Sequence, residues 1–265
     1  MMKKLIAFLL AAMMLAMCLS GGGDSKEPAA DDTADAAEEL VIATSPDFPP
    51  FEELDASGEV VGIEIDILNL ICEKLGMTLK IEQMDFDSVL PGVQAGKYQV
   101  GVSGISITEE RQKNVLFTDP YCLAAQAIVV TEGSPITCKA DLEGKTVSVQ
   151  TGTTAELYCM SQGYTVNAYA ANTDAEMALT TGKVDAWVID DLTAADMVAT
   201  YNEANEDQLV ILPDAMTTEP YAFALAFGSE ELVADMNAVL SELVADGTVA
   251  GIFEKYGAPY TSPIA

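Results

Sequence analysis

Apolar residues follow two kinds of spacing along the first half of the chain. Alternating positions indicate strands, and positions three or four apart indicate amphipathic helices. The predicted elements are, in order, a strand over 39–43, a helix over 63–75, a strand over 77–81, a helix over 87–94 and a strand over 100–102. Gly76 follows the first helix and is typical of a helix end. Strands that alternate with helices in this way predict a parallel sheet.

The same alternation starts again after residue 145. The second series is predicted as a strand over 146–149, a helix from Thr153, a strand over 164–167, a helix begun by a capping box of Thr173 and Glu176, a strand over 186–189, a further helix and a strand over 209–212. A final helix carries on one face Leu232, Met236, Val239, Leu240 and Leu243. The repeated rhythm predicts a second α/β unit.

Two long apolar strands, 124–130 and 221–227, bracket the second series. We therefore predict an α/β fold of two lobes with central, mostly parallel sheets, in which the chain crosses near 124–130 and 217–227 on two hinge strands. The expected organisation is a signal segment over 1–18, a disordered acidic tether over 19–39, lobe 1 over 40–126 plus 222–265, and lobe 2 over 127–221. Ligands of such proteins bind at the carboxyl ends of strands and between lobes.

The N-terminus is typical of a secreted protein. Lys3 and Lys4 precede an apolar run over 5–17, which is shorter than the roughly 20 residues of a membrane-spanning helix. Residues 21–39 are small and acidic and cannot bury enough apolar surface to fold, which argues against a buried core helix as the alternative. The layout resembles a bacterial lipoprotein leader and implies lipidation of Cys18, although Met17 stands where such leaders have a small residue.

Composition excludes several classes of function. The chain has 12 Lys and Arg against 42 Asp and Glu, a net charge of −30, and no His. This charge argues against nucleic acid as a partner and against adhesion to anionic lipid. Without His, the commonest metal ligand and the usual proton shuttle are missing, which argues against Ser-His-Asp and Cys-His catalysis and most zinc sites. We expect no metal site, no cofactor and no enzymatic activity. The cysteines Cys72, Cys122, Cys138 and Cys159 lack CxxC spacing and could be thiols or form a disulfide.

A single arginine, Arg111, follows the strand over 100–102, and Thr108 is a candidate N-cap of a short helix that carries it. The planar guanidinium pairs bidentately with a carboxylate, which Lys does not match. Ser103 and Ser106 precede it and could assist. A surface ion pair is the alternative interpretation.

Two further groups stand at strand ends. The segment Gln150-Thr151-Gly152-Thr153-Thr154 closes a strand and opens a helix, where N–H groups and the hydroxyls of Thr153 and Thr154 favour an anion. Asp190 follows the strand over 186–189 and could receive an ammonium. For each the alternative is an ordinary helix cap. Together with Arg111 they predict a site for a zwitterion, with Phe48, Phe86 and Tyr121 as candidate walls.

Six short motifs occur in a fixed order: Phe48-Pro-Pro-Phe51-Glu52, Gly62-Ile-Glu-Ile-Asp66, Leu90-Pro91 with Gly96-Lys97-Tyr98, Ile107-Thr-Glu-Glu-Arg111 with Phe117-Thr-Asp-Pro-Tyr121, Gln150-Thr-Gly-Thr-Thr154, and Val184-Asp185-Ala186 with Asp190. In these motifs the chain resembles the polar amino-acid-binding proteins of bacterial ABC importers, extracellular solute-binding family 3, over residues 40–260. The resemblance implies the periplasmic-binding-protein-like type II fold, which closes on its ligand. It also implies an amino acid and a membrane permease as partners, a monomer, and a location outside the cytoplasm, either periplasmic or lipid-anchored to the outer face of the membrane.

The resemblance also implies roles for individual residues. They are a carboxylate clamp of Arg111 with Ser106 and Thr154, an ammonium site of Asp190 with Ser103 or Gly104, a side-chain sandwich of Phe48 and Phe86, and a specificity position at Gln150. Ser45 stands where members that bind basic amino acids often carry an acid, and a second arginine for an acidic side chain is missing. We therefore expect a neutral polar amino acid.

Two other functions on the same fold remain open: a periplasmic dehydratase of the cyclohexadienyl dehydratase type, with Glu52 or Glu156 as the acid, and a sensor for a membrane receptor. Because His is absent, we expect binding to vary little from about pH 6 to 8. The alternative is that crowded carboxylates, Glu52 for example, titrate near neutrality.

Overall fold

The computed structural model describes residues 37–214 and 216–263. The predicted signal segment, Cys18 and nearly all of the predicted tether lie outside the described residues. The strands are, in chain order, β1 (Glu39–Thr44), β2 (Asp47–Phe48), β3 (Glu52–Leu54), β4 (Val60–Val61), β5 (Thr78–Gln83), β6 (Val100–Gly101), β7 (Leu116–Phe117), β8 (Cys122–Ala124), β9 (Gln126–Thr131), β10 (Thr146–Gln150), β11 (Thr165–Tyr169), β12 (Ala186–Asp190), β13 (Leu209–Ile211), β14 (Glu219–Tyr221) and β15 (Ala224–Leu225). The α-helices are α1 (Ile63–Leu75), α2 (Phe86–Gln94), α3 (Thr154–Ser161), α4 (Asn172–Thr180), α5 (Asp191–Ala204), α6 (Glu230–Ala245) and α7 (Thr248–Lys255).

The first sheet has the order β5-β1-β6-β15-β7. Strand β1 pairs in parallel with β5 and β6, whereas β15 is antiparallel to β6 and β7. Helix α1 packs against β5, α6 and α7, and α2 packs against β1, β6 and β15. The apolar face of α1 is buried, as its spacing predicts, and Gly76 ends the helix in the left-handed conformation. This sheet and its helices form the first lobe.

The second sheet has the order β11-β10-β12-β9-β13. Strand β10 is parallel to β11 and β12, and β9 is antiparallel to β12 and β13. Helices α3, α4 and α5 pack against this sheet. The two sheets and their helices confirm the predicted α/β class.

Two short antiparallel strands connect the lobes. Strand β8 pairs with β14, with Cys122 opposite Tyr221 and Ala124 opposite Glu219. Each long apolar strand of the sequence is thereby divided in two, because β8 and β9, like β14 and β15, pair in different sheets. We call β8 and β14 the hinge strands.

The structure differs from the sequence predictions at two helices. The capping box of Thr173 and Glu176 is wrong: α4 begins at Asn172, and the N–H of Asn172 donates to the Asp47 carboxylate of the first lobe at 2.7 Å. Helix α7 is missing from the predicted elements. It is only eight residues long and contains Gly251, so its packing rather than its propensity stabilises it.

Cys72, Cys122, Cys138 and Cys159 are free thiols. Within residues 37–214 and 216–263, no single helix is long and apolar enough to cross a membrane. The pair α6 and α7, bent by 73°, meets the length and composition test only when both are taken together.

Candidate functional site

One narrow cleft brings together ten of the twelve predicted ligand-binding residues. The first lobe contributes Phe48, Phe86, Ser103, Gly104, Ser106 and Arg111, and the second contributes Gln150, Thr153, Thr154 and Asp190. The second-lobe group lies at or just after the carboxyl ends of β10 and β12, where parallel sheets present their binding loops.

Arg111 is held from two sides of the cleft. Its Nη1 donates to the Ser106 carbonyl at 2.9 Å and its Nη2 donates to the Gly152 carbonyl at 3.3 Å. The guanidinium also lies 5.7 Å from the Phe86 ring centroid. The Thr108 hydroxyl accepts the Arg111 N–H at 3.1 Å, but Arg111–Lys113 is a single 3-10 turn with Glu110 as its N-cap residue, so the predicted N-cap at Thr108 is corrected.

None of the ion pairs found among the described residues includes Arg111. Burial lowers the pKa of its guanidinium, and the charges of Glu219 and Asp190 partly oppose this. An arginine has five N–H donors, and two carbonyl contacts leave further donors for a carboxylate. The geometry therefore suits an anionic group better than the surface ion pair left open by the sequence.

Asp190 is the buried acid of the second lobe. The Tyr221 hydroxyl donates to its Oδ1, and Gln126 Nε2 donates to the same oxygen at 2.9 Å. Burial, and then the nearby charge of Glu219, raise the pKa of Asp190 from 3.8 to about 7. An ammonium in the cleft would stabilise the ionised form and lower this pKa again. The neighbouring Asp191, rather than Asp190, has the capping side chain, because it accepts the N–H of Leu192.

The hydroxyls of Ser106 and Thr154 both donate to one oxygen of Glu219, at 2.5 and 2.7 Å. Glu219 lies on hinge strand β14 and is itself buried. One hydroxyl belongs to each lobe, so the carboxylate of a hinge strand connects both lobes beneath the cleft.

Gly104 allows the Phe48 ring to form part of the cleft wall. Its φ is +53°, and a Cβ at this position would lie 2.4 Å from the Phe48 ring. Phe48 stacks on Phe51 with ring centroids 5.6 Å apart. Phe86 contributes the second aromatic surface, beside Arg111.

Two buried glutamates support the segment of Ser103 and Gly104 from behind. The Ser103 hydroxyl donates to Glu52 at 2.7 Å, and the Gly104 N–H donates to Glu64 at 3.0 Å. Burial and the charge of Glu64 raise the pKa of Glu52 well above 4.5, and burial also raises the pKa of Glu64. The pKa of Glu52 is thus the more strongly raised of the two, and Glu64 also accepts the Tyr121 hydroxyl at 2.6 Å.

Asp47, on β2 of the first lobe, also connects the lobes. Its carboxylate accepts the main-chain N–H of Asn172 at 2.7 Å and Gln150 Nε2 at 3.2 Å. Asn172 Nδ2 in turn donates to Gln150 Oε1 at 3.1 Å. Burial raises the pKa of Asp47 from 3.8. Gln150 is thus fixed in part by a contact between the lobes.

Tyr121 and Ser45 are not among the lining residues of this cleft. Tyr121 is fully buried, stacks on Phe223 and donates its hydroxyl to Glu64, so its predicted place as a cleft wall is corrected. Ser45 is turned away, because its hydroxyl donates to Asp47 at 2.9 Å. Thr153 lines the cleft, but its hydroxyl donates to the Gln150 carbonyl and also caps α3.

The sequence model of the bacterial extracellular solute-binding proteins, family 3, matches residues 40–259. The chain belongs to this family.

This family 3 protein is similar to other proteins in sequence and in structure. It is 29% identical to the "Putative ABC transporter arginine-binding protein 2" of Escherichia coli (strain K12), over 84% of this chain and 93% of that protein. A crystal structure of a mutant ArgBP from T. maritima is 39% identical with a TM-score of 0.78, and covers 83% of this chain and 95% of the other. The ancestral amino acid-binding protein AncCDT-1, described as a precursor of cyclohexadienyl dehydratase, is 31% identical with a TM-score of 0.75, over 82% and 95% of the two chains.

Four residues around the cleft of this family 3 protein were not among the predicted site residues: Glu219, Gln126, Asp47 and Asn172. Glu219 and Gln126 lie on strands at the crossings, where only the apolar pattern was informative. Asp47 stands directly before the aromatic motif that begins at Phe48, and that position was the available signal. Asn172 carried no signal, because its partner belongs to the other lobe.

Proposed function

We propose that this family 3 protein is the extracytoplasmic substrate-binding component of an ABC amino-acid importer. In this role it binds a zwitterionic amino acid between its lobes. One observation carries the proposal: the cleft is lined by one guanidinium with spare donors and one buried carboxylate, Arg111 and Asp190, from different lobes. These groups match an α-carboxylate and an α-ammonium.

The comparisons support an amino acid as the ligand class. The relatives reported above are named for arginine binding or amino-acid binding. The presence of a single arginine, Arg111, favours a ligand with a neutral polar side chain over one with an acidic side chain, since a second carboxylate would need a second guanidinium group. Arginine and glutamine are both among the ligands of the thermal-shift screen described below.

The dehydratase alternative has less support. Glu52 and Glu156, the acids named for it, are not among the cleft-lining residues. Glu52 is enclosed behind Ser103, and the Glu156 carboxylate accepts the Gly152 N–H at 2.7 Å. A general acid must reach the bond that it protonates. We therefore propose a binding protein rather than an enzyme.

The rest of the biological setting is part of the same proposal. We propose secretion by the segment over 1–18, a lipid anchor at Cys18, a membrane permease as the partner and a monomer in solution. The lobe boundaries 40–126 plus 222–265 and 127–221 are likewise proposed. Gene neighbourhood would separate an importer component from a receptor-linked sensor.

A thermal-shift screen of the protein against the twenty amino acids tests the proposal. A ligand at 100 times its Kd stabilises the folded state by about 2.7 kcal/mol, which is several degrees for a chain of this size. We expect at least one amino acid to give such a shift and calorimetry to confirm binding at one site. No shift with any of them, or turnover of added prephenate, would contradict the proposal.

A further inference from the structure

The two oxygens of the Asp190 carboxylate have different surroundings. Oδ1 accepts the Tyr221 hydroxyl and the Nε2 of Gln126, the latter at 2.9 Å. Oδ2 accepts no hydrogen bond from the described residues, and it is not among their enclosed atoms that lack a partner. Because Asp190 lines the cleft, Oδ2 is the oxygen that a ligand can reach.

The Tyr221 hydroxyl is held in place by packing in the first lobe. Tyr221 is fully buried on hinge strand β14, and its ring lies edge-on to Phe51 with the centroids 5.2 Å apart. Its main-chain carbonyl accepts the Tyr121 N–H at 3.0 Å. Burial, and then the charge of Asp190, raise the pKa of Tyr221 well above 10, so the hydroxyl keeps its hydrogen and donates. A fixed donor of the hinge strand therefore holds the acid of the second lobe.

Gln126 reaches the same oxygen from β9 of the second lobe. It is fully buried, and its Nε2 also donates to Thr154 Oγ1 at 3.3 Å. Its Oε1, by contrast, has no partner among the described residues. An enclosed amide oxygen without a partner costs free energy. The contacts of the nitrogen with Asp190 and Thr154 therefore have to offset this cost.

The Asp190 side chain would have another partner without these donors. Asp190 is the N-cap residue of α5, where an aspartate commonly accepts main-chain N–H groups of the first helical turn. Its side chain makes no such bond here, and Asp191 accepts the N–H of Leu192 instead. Tyr221 and Gln126 thus hold the Asp190 carboxylate away from the helix and towards the cleft.

We infer that Tyr221 and Gln126 are positioning residues, which hold Oδ1 of Asp190 and thereby direct Oδ2 to the ammonium of an amino-acid ligand. The inference deepens the proposed function and rests on it, because it concerns the acid that is proposed to bind the ammonium. Neither residue is among those that line the cleft, so both act through Asp190. Burial raises the pKa of Asp190, and the hydrogen bonds from Tyr221 and Gln126 lower it in part.

Other titratable and charged groups also face Asp190. They are Arg111, Glu219 on β14, Cys122 on β8, the neighbouring Asp191 and Tyr221 itself. The guanidinium stabilises the ionised form of Asp190, whereas the two acids oppose it. A variant that tests positioning must therefore remove a hydrogen bond without changing the charge of the site.

Tyr221→Phe meets this condition, because it keeps the ring and removes the hydroxyl. The probes are L-glutamine with glutaramic acid and L-arginine with 5-guanidinopentanoic acid, which lack the α-amino group. Any other amino acid selected in the thermal-shift screen is paired with its own desamino analogue. The readout is the ratio of Kd for the analogue to Kd for the amino acid. At pH 7.5 this ratio should fall at least about threefold, because loss of a hydrogen bond to the charged form raises the pKa of Asp190 and leaves more of the acid protonated.

The pH dependence of binding provides the second readout. The pH below which the amino acid binds more weakly should move up by about one pH unit in Tyr221→Phe. A purely structural role of Tyr221 would weaken the amino acid and its analogue by the same factor and would leave this pH unchanged. Gln126→Met keeps the length of the side chain but removes the amide, so it should change both readouts in the same directions.

The matched control is Tyr121→Phe, which removes another buried hydroxyl, one that donates to Glu64 rather than to Asp190. It should leave the ratio and the pH unchanged. An unchanged ratio in folded Tyr221→Phe or in folded Gln126→Met, or an equal fall in Tyr121→Phe, would overturn the inference, while binding by the wild-type protein would still support the proposed function. A wild-type protein that binds no amino acid would remove both.

Discussion

Two regions where the lobes meet, the charged end of the cleft and the contacts of Asp47, are built in different ways. The charged end, Arg111 and Asp190 with the hydroxyls around them, presents groups that each have spare capacity for a ligand. At the Asp47 end, by contrast, Asp47, Gln150 and Asn172 bond mainly to one another across the lobes. We propose from this comparison a division of tasks, in which the charged end recognises the constant part of an amino acid and the Asp47 end holds the lobes together.

The largest effect is expected at Asp190. Replacement of Asp190 by Asn removes the partner of the ligand ammonium, which typically costs about 2–5 kcal/mol, or at least about 30-fold in Kd. The unliganded protein should instead become more stable at pH 8, by about 1–3 kcal/mol, because a buried charge is removed. Calorimetry and thermal melting measure the two changes. If Asp190→Asn weakens binding but does not stabilise the unliganded protein, the buried Asp190 carboxylate does not destabilise the unliganded fold.

The sign of the stability effect follows from the raised pKa. The pKa of Asp190 is about 7 in the folded protein, against an ordinary value of 3.8. Protonation of Asp190 therefore stabilises the folded state fully below pH 3.8, and this stabilisation is lost as the pH rises through 7. The gain from Asp190→Asn should therefore shrink at pH 5. Asp191→Asn is a poor control because its carboxylate caps α5, whereas Glu132→Asn changes an exposed acid only.

Binding at the charged end should depend on pH. The ligand ammonium pairs with ionised Asp190, so below about pH 7 binding must first release a proton. Kd should rise by up to about tenfold per pH unit below 7 and stay nearly constant from 7 to 8. This favours the alternative of a raised carboxylate over the flat profile expected from the absence of His. Dissociation constants at half-unit steps from pH 5 to 8.5 at fixed salt measure it, and a flat profile would exclude titration of Asp190.

At the Asp47 end the expected effect is smaller and independent of the ligand's charge. Asp47→Asn keeps one acceptor but loses the charge and the second oxygen that receive Asn172 and Gln150. Destabilising the closed form in this way should weaken all ligands by a similar factor, about three- to tenfold. Exposed Asp55→Asn in the same lobe is the control. A change that differs strongly between arginine and glutamine would instead make Asp47 a direct side-chain contact.

The smallest effect is expected at Glu52, behind Gly104. Glu52→Gln should change stability by less than about 1 kcal/mol, because glutamine resembles the protonated acid. Glu64→Gln should cost about 1–3 kcal/mol, because it weakens the acceptor of the Gly104 N–H and the Tyr121 hydroxyl. Denaturant unfolding compares the two. Equal losses would mean that the proton is not held mainly by Glu52.

The same contrast explains what could be predicted from the sequence. Arg111 and Asp190 follow strand ends, and residue type alone indicates which ligand charge each suits. The α/β rhythm predicts the two sheets because apolar spacing is a local property. Asp47 and Asn172 could not be paired in advance, since 125 positions separate them and they belong to different lobes. For the same reason the start of α4 was misplaced, because its first N–H is satisfied by the other lobe.

The central claim is that the cleft recognises both charges of a free amino acid through Arg111 and Asp190. It is tested most directly by calorimetric titration at pH 7.5 of the amino acid selected in the screen, beside the same molecule without its α-amino group and the same molecule without its α-carboxylate. Each analogue should bind at least about 30-fold more weakly than the parent, because one buried charge of the protein stays unpaired. If either analogue binds as tightly as the parent amino acid, the zwitterion site is contradicted.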